Sequence, residues 1–113
     1  MTALFPETVD RDPLDFNRTP AWCVGLLVPY LGQPKTILDA GCGDGAIGKV
    51  LRRAFPACFM QGIEIESKRF REAQLSGVTE ETPRGDYDIA WHGDWLDSRI
   101  PCNGELIISN PPF

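Results

Sequence analysis

The chain has 113 residues, of which 42% are hydrophobic and 24% charged, and its 11 basic and 16 acidic residues give a formal net charge of −5 at pH 7. This length and composition predict one globular domain at most, and the acidic balance argues against a segment that grips a phosphate backbone unaided. No apolar run approaches the ~20 residues of a membrane span, and the N-terminus lacks the basic region of a secretory signal, so the sequence predicts a cytoplasmic protein with no membrane partner.

The chain opens with a polar leader and a first helix. Residues 1–19 are polar and interrupted by prolines, which predicts an irregular leader. Thr19 and Pro20 are typical of a helix N-cap and a first helical residue. Four apolar residues then recur at helical spacing: Trp22, Leu26, Leu27 and Tyr30. This pattern predicts a helix with an apolar stripe, which ends at residues 32–34.

The remaining apolar runs predict four strands and two further helices. The strands are predicted at residues 36–40, 58–64, 87–91 and 106–109. The helices are predicted at residues 47–54, where the apolar spacing is amphipathic, and at residues 67–75. Strands that alternate with helices or long connections predict an α/β fold, in which a parallel sheet has helices packed on its faces.

The cysteines and the single histidine predict no metal site. The cysteines are Cys23, Cys42, Cys58 and Cys102. No two of them have the close spacing of a zinc knuckle or a C-x-x-C pair, so we expect reduced thiols. His92 is not paired with a Ser or Cys nucleophile in any recognisable pattern, which favours a structural residue at a strand end over a catalyst.

Each predicted strand has a polar residue at its carboxyl end. These residues are Asp39, Glu64, Asp94 and Asn110. Parallel sheets of this kind bind ligands in the crevice beyond the carboxyl ends of their strands. The four residues together therefore predict one binding site.

The first strand runs into a glycine loop. Gly41 and Gly43 let the backbone turn tightly and approach a ligand, and the next helix directs free N–H groups towards it. Asp39 would repel a pyrophosphate but attract an ammonium group, so the loop favours a zwitterionic amino-acid tail. The spacing Gly41, Gly43 and Ala46 also fits the dinucleotide pattern G-x-G-x-x-A, which leaves a nicotinamide-dependent oxidoreductase as an alternative that Asp39 disfavours.

The second and third strand ends suit a nucleoside. Glu64 can accept hydrogen bonds from both hydroxyls of a ribose. Ile65 either packs on a purine face or lies in the core. Asp94 can accept from an exocyclic amine, and Trp95 is either a hydrophobic wall or a core residue.

The fourth strand end is Asn110-Pro111-Pro112-Phe113. Two prolines remove two N–H donors and leave acceptors, namely the Asn110 side-chain oxygen and the carbonyls of Asn110 and Pro111. Such acceptors suit a planar –NH2 group. Phe113 offers a flat face on which an aromatic ring can stack.

Together these residues resemble the S-adenosylmethionine-dependent amino-methyltransferases that carry an N-P-P-[FYW] motif. Residues 39–45 are similar to their D-x-G-x-G-x-G cofactor loop, Glu64 to their acidic ribose-binding residue, residues 94–95 to their adenine-contacting pair, and residues 110–113 to their catalytic motif. Within this group, residues 15–22 look like the leader of DNA adenine-N6 methyltransferases, including phage-type ones.

The resemblance implies a Rossmann-like class I methyltransferase fold with S-adenosylmethionine as cofactor and no metal. The implied cofactor-binding residues are Thr19, Pro20, Asp39, Gly41, Cys42, Gly43, Glu64, Ile65, Asp94, Trp95 and Asn110. The implied catalytic residues are Asn110, Pro111, Pro112 and Phe113. They would hold the amino group of an adenine that is flipped out of DNA.

The family's sheet continues beyond its fourth strand, whereas this sequence stops at Phe113. We therefore expect residues 20–113 to be the cofactor-binding half of a methyltransferase domain, present as a fragment or truncated product. DNA is expected to be gripped by the full-length parent, and the bare edge of the fourth strand invites self-association. Two alternatives stay open: a ribosomal RNA guanine-N2 or protein glutamine N5 methyltransferase, and a catalytically incompetent remnant.

Overall fold

The structure is a computed structural model that describes residues 19–109. Within this range the elements are α1 (Ala21–Leu27) with a 3-10 turn (Val28–Tyr30), β1 (Thr36–Ala40), α2 (Ala46–Ala54), β2 (Phe59–Glu64), α3 (Ser67–Leu75), β3 (Ile89–His92) and β4 (Leu106–Ser109). This order of helices and strands is the one predicted from the sequence. None of these helices has the length and apolar character needed to cross a membrane.

The four strands form one parallel sheet in the order β3-β2-β1-β4. Asp39 of β1 lies opposite Gly62 of β2, and Ala40 lies opposite Ser109, the last residue of β4. Glu64 at the end of β2 lies opposite His92 at the end of β3. The predicted parallel sheet is confirmed, and its strands end along one edge, as the prediction of a single site requires.

The core has two parts because the central strands are covered on both faces. On the helical face, residues of β1 and β2 and residues of α1, α2, α3 and the turn after α2 form one cluster: Val24, Ile37, Leu51, Phe55, Met60 and Ala73. On the opposite face, Leu38 and Ile63 pack under Ile100. Gln61 helps to fix this second face, since its amide donates to the Asn103 carbonyl at 2.9 Å and accepts from the Trp91 indole at 2.8 Å.

Helix α1 differs from its prediction. Trp22, Leu26 and Tyr30 are 69%, 64% and 86% exposed, whereas Val24 is buried. The predicted apolar stripe therefore does not face the core within the described range. The N-cap is Pro20 rather than Thr19, and Pro20 makes no side-chain capping bond. Sequence spacing identifies residues that share a helical face, but it does not show whether another element packs against that face.

Two strands begin later than predicted. Strand β2 begins at Phe59 rather than at residue 58, and β3 begins at Ile89 rather than at residue 87. Tyr87 therefore precedes its strand and enters the helical face of the core, where it is almost completely buried. A Cβ atom added at Gly48 would overlap the Tyr87 ring, one at Gly62 would lie 2.9 Å from Cε1, and one at Gly45 would lie 3.3 Å from Cε2. Gly48 and Gly62 thus make room for the aromatic ring, and Gly45 lies beside it, where a Cβ atom would come closer to Ser76, at 2.9 Å.

We predict that Gly48→Ala lowers the free energy of unfolding by about 1–3 kcal/mol, because its methyl group would overlap Tyr87 in a packed core. The matched control is Gly25→Ala in α1, where an added Cβ has no neighbour within 4 Å. It should raise stability by up to about 1 kcal/mol through helix propensity alone. Urea denaturation measures both, and equal effects of the two variants would contradict the packing of Tyr87.

Candidate functional site

The glycine loop between β1 and α2 is pinned to the neighbouring strand. The amides of Gly41 and Cys42 both donate to the Ile63 carbonyl at 2.9 Å. Gly41, Gly43 and Gly45 have φ angles of 72°, 56° and 95°, in the left-handed region that favours glycine. A Cβ added at Gly41 would have nothing within 4 Å. The loop is therefore fixed on its strand side and open at Gly41, which suits the close approach of a ligand.

Glu64 ties the loop to the end of β2. One of its carboxylate oxygens, Oε1, accepts from the Gly43 amide at 2.8 Å, and Oε2 accepts from the Glu66 amide at 2.9 Å. The residue is buried. Because each carboxylate oxygen has two lone pairs, each can accept one more hydrogen bond. Glu64 thus holds the loop and keeps acceptor capacity for a pair of hydroxyl groups.

Asp39 is fully buried at the end of β1. Its Oδ2 accepts from the Tyr87 hydroxyl at 2.6 Å, and its Oδ1 has no hydrogen-bond partner among residues 19–109. Burial raises the pKa of Asp39 to about 7; the Tyr87 hydrogen bond opposes this rise, and the charge of Glu64 adds to it. A buried carboxylate oxygen without a donor is costly, so Oδ1 is an acceptor that a bound cation would stabilise.

The other predicted site residues differ in solvent exposure. Ile65 and Trp95 follow β2 and β3 and are exposed, as is Asp94, whose Oδ1 accepts from the Leu96 amide at 2.9 Å. The Cys42 side chain is turned into the core, where its Sγ would lie 3.0 Å from a Cβ at Gly62. Burial raises the pKa of the Cys42 thiol, so the thiol stays protonated.

The structure describes only some of the site residues that were predicted near the start and the end of the sequence. Thr19 is half-buried and Pro20 is exposed, directly before α1. Asn110, Pro111, Pro112 and Phe113 lie outside the described residues, as do residues 15–18 of the leader. The last described residue, Ser109, pairs with Ala40, so the N-P-P-F segment follows a strand that ends beside the glycine loop.

Sequence reasoning missed the partners of two site residues. The apolar run predicts Tyr87 within a strand, whereas it precedes β3 and is the partner of Asp39. The signal is Gly48, because a glycine inside an amphipathic helix indicates the close approach of another group. His92 stacks on Phe70 with ring centroids 4.9 Å apart, and its Nε2 lies 3.2 Å from the Ile65 carbonyl oxygen. This contact supports the backbone at Ile65 and agrees with a structural role for His92.

Comparison with known proteins identifies the family. The family model "Methyltransferase small domain" matches residues 23–113, and the chain belongs to this family. S-adenosylmethionine is the family's cofactor. The family is broader than the DNA adenine-N6 type that the sequence suggested, because its characterised relatives include RNA and protein methyltransferases.

Three curated relatives illustrate this range. The release factor glutamine methyltransferase of Thermosynechococcus vestitus is 34% identical over 92 residues, which are 80% of this chain and 31% of that protein. The tRNA1(Val) (adenine(37)-N6)-methyltransferase of Porphyromonas gingivalis is 35% identical over 85 residues, 71% of this chain and 32% of that protein. The ribosomal RNA small subunit methyltransferase C of Haemophilus ducreyi is 31% identical over 78% of this chain and 26% of that protein. The chain thus spans between a quarter and a third of the length of these relatives.

Solved structures share the fold. A putative RNA methyltransferase from Pyrococcus horikoshii superimposes with a TM-score of 0.68 at 21% identity, over 88% of this chain and 48% of that one. Human N-acetylserotonin methyltransferase, solved with S-adenosylmethionine, gives a TM-score of 0.56 at 20% identity, over 76% of this chain and 24% of that one. The predicted Rossmann-like methyltransferase fold is confirmed.

The residues at the strand ends fit this cofactor. It carries an ammonium group, a carboxylate and two ribose hydroxyls. Asp39 offers an unpartnered buried acceptor, Glu64 offers the remaining lone pairs of a carboxylate, and Gly41 leaves open space where a side chain would stand. The assignment of individual cofactor-binding residues stays a prediction.

We predict that Asp39→Asn stabilises the free protein at about pH 8 by up to about 4 kcal/mol and has little effect near pH 4. The pKa of Asp39 is about 7 in the folded chain against an ordinary value of 3.8. Between these values the unfolded chain has lost the proton that the folded chain retains. The contribution of Asp39 to the free energy of unfolding is therefore most favourable below about pH 4, becomes less favourable as the pH rises, and is constant above about pH 7.

Urea denaturation across this pH range measures the effect. The control is Asp97→Asn, which removes a partly exposed carboxylate that Arg99 binds at 2.9 Å. Arg99 lowers the pKa of Asp97, so this variant should not gain stability at pH 8. A wild-type stability that rises between pH 4 and pH 7 and an Asp39→Asn variant with the same slope would together contradict a raised pKa at Asp39.

Proposed function

We propose that this chain is the cofactor-binding part of an N-methyltransferase that methylates the N6 amino group of adenine in nucleic acid, with DNA as the acceptor. The observation that carries the proposal is the register of β1 and β4. Ala40 pairs with Ser109, so the segment Asn110–Phe113 follows a strand that ends beside the glycine loop. A cofactor on that loop and an amino group at that segment would therefore be neighbours.

Different residues of the chain would bind different parts of the cofactor. Asp39 would accept from the ammonium group, and the N-terminal end of α2, with its positive dipole end, would attract the carboxylate. Glu64 would accept from the ribose hydroxyls. Ile65 would pack on the adenine and Asp94 would accept from its amine. Bound S-adenosylmethionine supplies an electrophilic methyl group.

The acceptor would be held by the N-P-P-F segment. The Asn110 side-chain oxygen and the Pro111 carbonyl would accept from the target –NH2, while Phe113 would stack on the base. These acceptors would also stabilise the positive charge that grows on the amine nitrogen during transfer. Catalysis would then rest on positioning and electrostatic stabilisation, without a metal.

Similarity supports the choice of acceptor. The tRNA adenine-N6 relative supports adenine as the base, and the leader at residues 15–22 favours DNA over RNA. None of the relatives described above is named for DNA. The net charge of −5 supports the view that residues outside this segment would contact the phosphates of the nucleic acid.

A glutamine side chain is the second candidate. The release factor relative is 34% identical, and glutamine also presents an –NH2 on a planar group. The acceptor oxygens of the N-P-P-F segment would suit this amide as they suit adenine.

We predict that Glu64→Gln weakens binding of S-adenosylhomocysteine and of 5′-methylthioadenosine to a similar degree, about 10- to 100-fold. Both ligands contain the ribose, and the amide would replace one carboxylate oxygen with an N–H donor. Isothermal calorimetry measures the two affinities. The matched control is Glu72→Gln on the exposed face of α3, which should bind as the wild type does. A selective loss of S-adenosylhomocysteine alone would place Glu64 at the amino-acid tail instead.

We predict that the methyltransferase of which this chain is the cofactor-binding part transfers labelled methyl groups from S-adenosylmethionine to unmethylated DNA, with N6-methyladenine as the product. Unmodified tRNA, ribosomal RNA and a release factor are offered in parallel. Asn110→Ala should lower transfer about 100-fold. Asn103→Ala is the control, because Asn103 contributes its backbone carbonyl to Gln61 and its side chain is exposed.

Labelling of each acceptor leads to a different conclusion. Label in RNA adenine would retain the base and overturn the assignment to DNA. Label in glutamine would favour the second candidate. Transfer to none of the four acceptors by a protein that binds the cofactor would overturn the proposed function.

A further inference from the structure

A buried tyrosine meets the site from outside the cofactor loop. The Tyr87 hydroxyl donates to Asp39 Oδ2 at 2.6 Å, across 48 residues of sequence. Burial, followed by the charge of Asp39, raises the pKa of Tyr87 well above its ordinary value, so the hydroxyl stays protonated and acts as a donor. The other titratable groups that act on Asp39 and Tyr87 are Glu64 and Cys42.

The tyrosine ring cannot easily change its position. It fills the space left by Gly48 and Gly62 and lies beside Gly45, so α2, β2 and the loop adjoin it. Moving the hydroxyl away from Asp39 would require these elements to separate. The ring therefore sets where the hydroxyl points.

The backbone on both sides of Tyr87 is also held. The Asp86 amide donates to the Ser76 carbonyl at 2.8 Å, and the Asp88 amide donates to the Met60 carbonyl at 2.8 Å. The Asp88 carboxylate accepts from the Arg52 guanidinium at 2.9 Å and from the Met60 amide at 2.8 Å. Tyr87 is thus anchored to α3, α2 and β2 independently of its own hydroxyl.

We propose that Tyr87 is a positioning residue for the cofactor, because its hydroxyl fixes the Asp39 carboxylate through Oδ2 and leaves Oδ1 as the acceptor for the ammonium group of the amino-acid tail. This inference rests on the role proposed above for Asp39. It explains why one oxygen of a fully buried carboxylate has a partner and the other has none among residues 19–109. The donor is a neutral hydroxyl, so the negative charge that attracts an ammonium group is kept.

The hydrogen bond also favours the charged carboxylate. Burial opposes ionisation of Asp39, and the Tyr87 bond acts in the opposite direction on its pKa. Only the ionised carboxylate attracts an ammonium group. Affinity for the amino-acid tail should therefore rise with pH as Asp39 ionises and level off above its pKa.

Tyr87→Phe tests the proposal because it keeps the ring and removes the hydroxyl. The variant should bind S-adenosylhomocysteine roughly 10-fold more weakly near neutral pH, with the midpoint of its pH dependence moved to higher pH. Binding of 5′-methylthioadenosine, which lacks the amino-acid tail, should be unchanged. Carbon NMR of the free protein should show the Asp39 carboxyl titrating at higher pH in the variant.

The matched control is Tyr30→Phe, which removes a hydroxyl from an exposed ring and should change none of these measurements. A purely structural role would give an equal loss for both ligands and no shift of the pH midpoint, and that result would overturn the proposal. If Tyr87→Phe fails to fold, proton release on ligand binding by the wild-type protein tests the proposal. Binding of S-adenosylhomocysteine, but not of 5′-methylthioadenosine, should then release protons below about pH 7. Equal proton release for both ligands would overturn the proposal.

The binding experiments with Tyr87→Phe test how the cofactor is held, whereas methyl labelling tests which acceptor is methylated. A protein that labels adenine but shows no tail-specific effect of Tyr87 would refute only the positioning role. A protein with the tail-specific effect and no labelled adenine would refute only the acceptor.

Discussion

The contact between Tyr87 and three glycines determines how closely α2 approaches the sheet. The ring takes the space of side chains at Gly48 of the helix and Gly62 of β2, and it lies 3.3 Å from where a Cβ atom at Gly45 of the loop would stand. The glycine loop joins β1 to α2, so its shape depends on how closely α2 approaches the sheet. A single residue outside the loop thereby controls packing and, through its hydroxyl, the orientation of Asp39.

Two buried carboxylates at neighbouring strand ends are stabilised in different ways. Glu64 receives a backbone amide at each oxygen, so its negative charge is compensated locally. Asp39 receives one hydroxyl, and burial raises its pKa to about 7. The electrostatic cost of the site is therefore concentrated at Asp39. A cationic group bound there would remove that cost. The buried charge of Asp39 would therefore both lower the stability of the free protein and raise its affinity for a cationic ligand.

The sequence predicted much of the sheet because short apolar runs ending in a carboxylate are characteristic of buried parallel strands. Residues 36–40 are such a run, and the structure has β1 at Thr36–Ala40. Features that depend on tertiary neighbours were harder to predict. Spacing placed Trp22 and Tyr30 on one helical face, but α1 buries Val24 instead. The contact between Tyr87 and Asp39 joins distant positions, and only the glycine at residue 48 indicated that a bulky group approached.

The overall similarity of this chain to its relatives does not distinguish one acceptor from another. Relatives named for a protein glutamine and for a tRNA adenine are 34% and 35% identical to it over nearly the same share of the chain. Both acceptors present an amino group on a planar unit, so a common cofactor site and a common set of acceptor oxygens would serve either. Discrimination must then come from contacts with the rest of the acceptor. With 16 acidic against 11 basic residues, this chain is a poor source of phosphate contacts. If Asp39 and Tyr87 hold the cofactor as proposed, the residues that select the acceptor would be different ones.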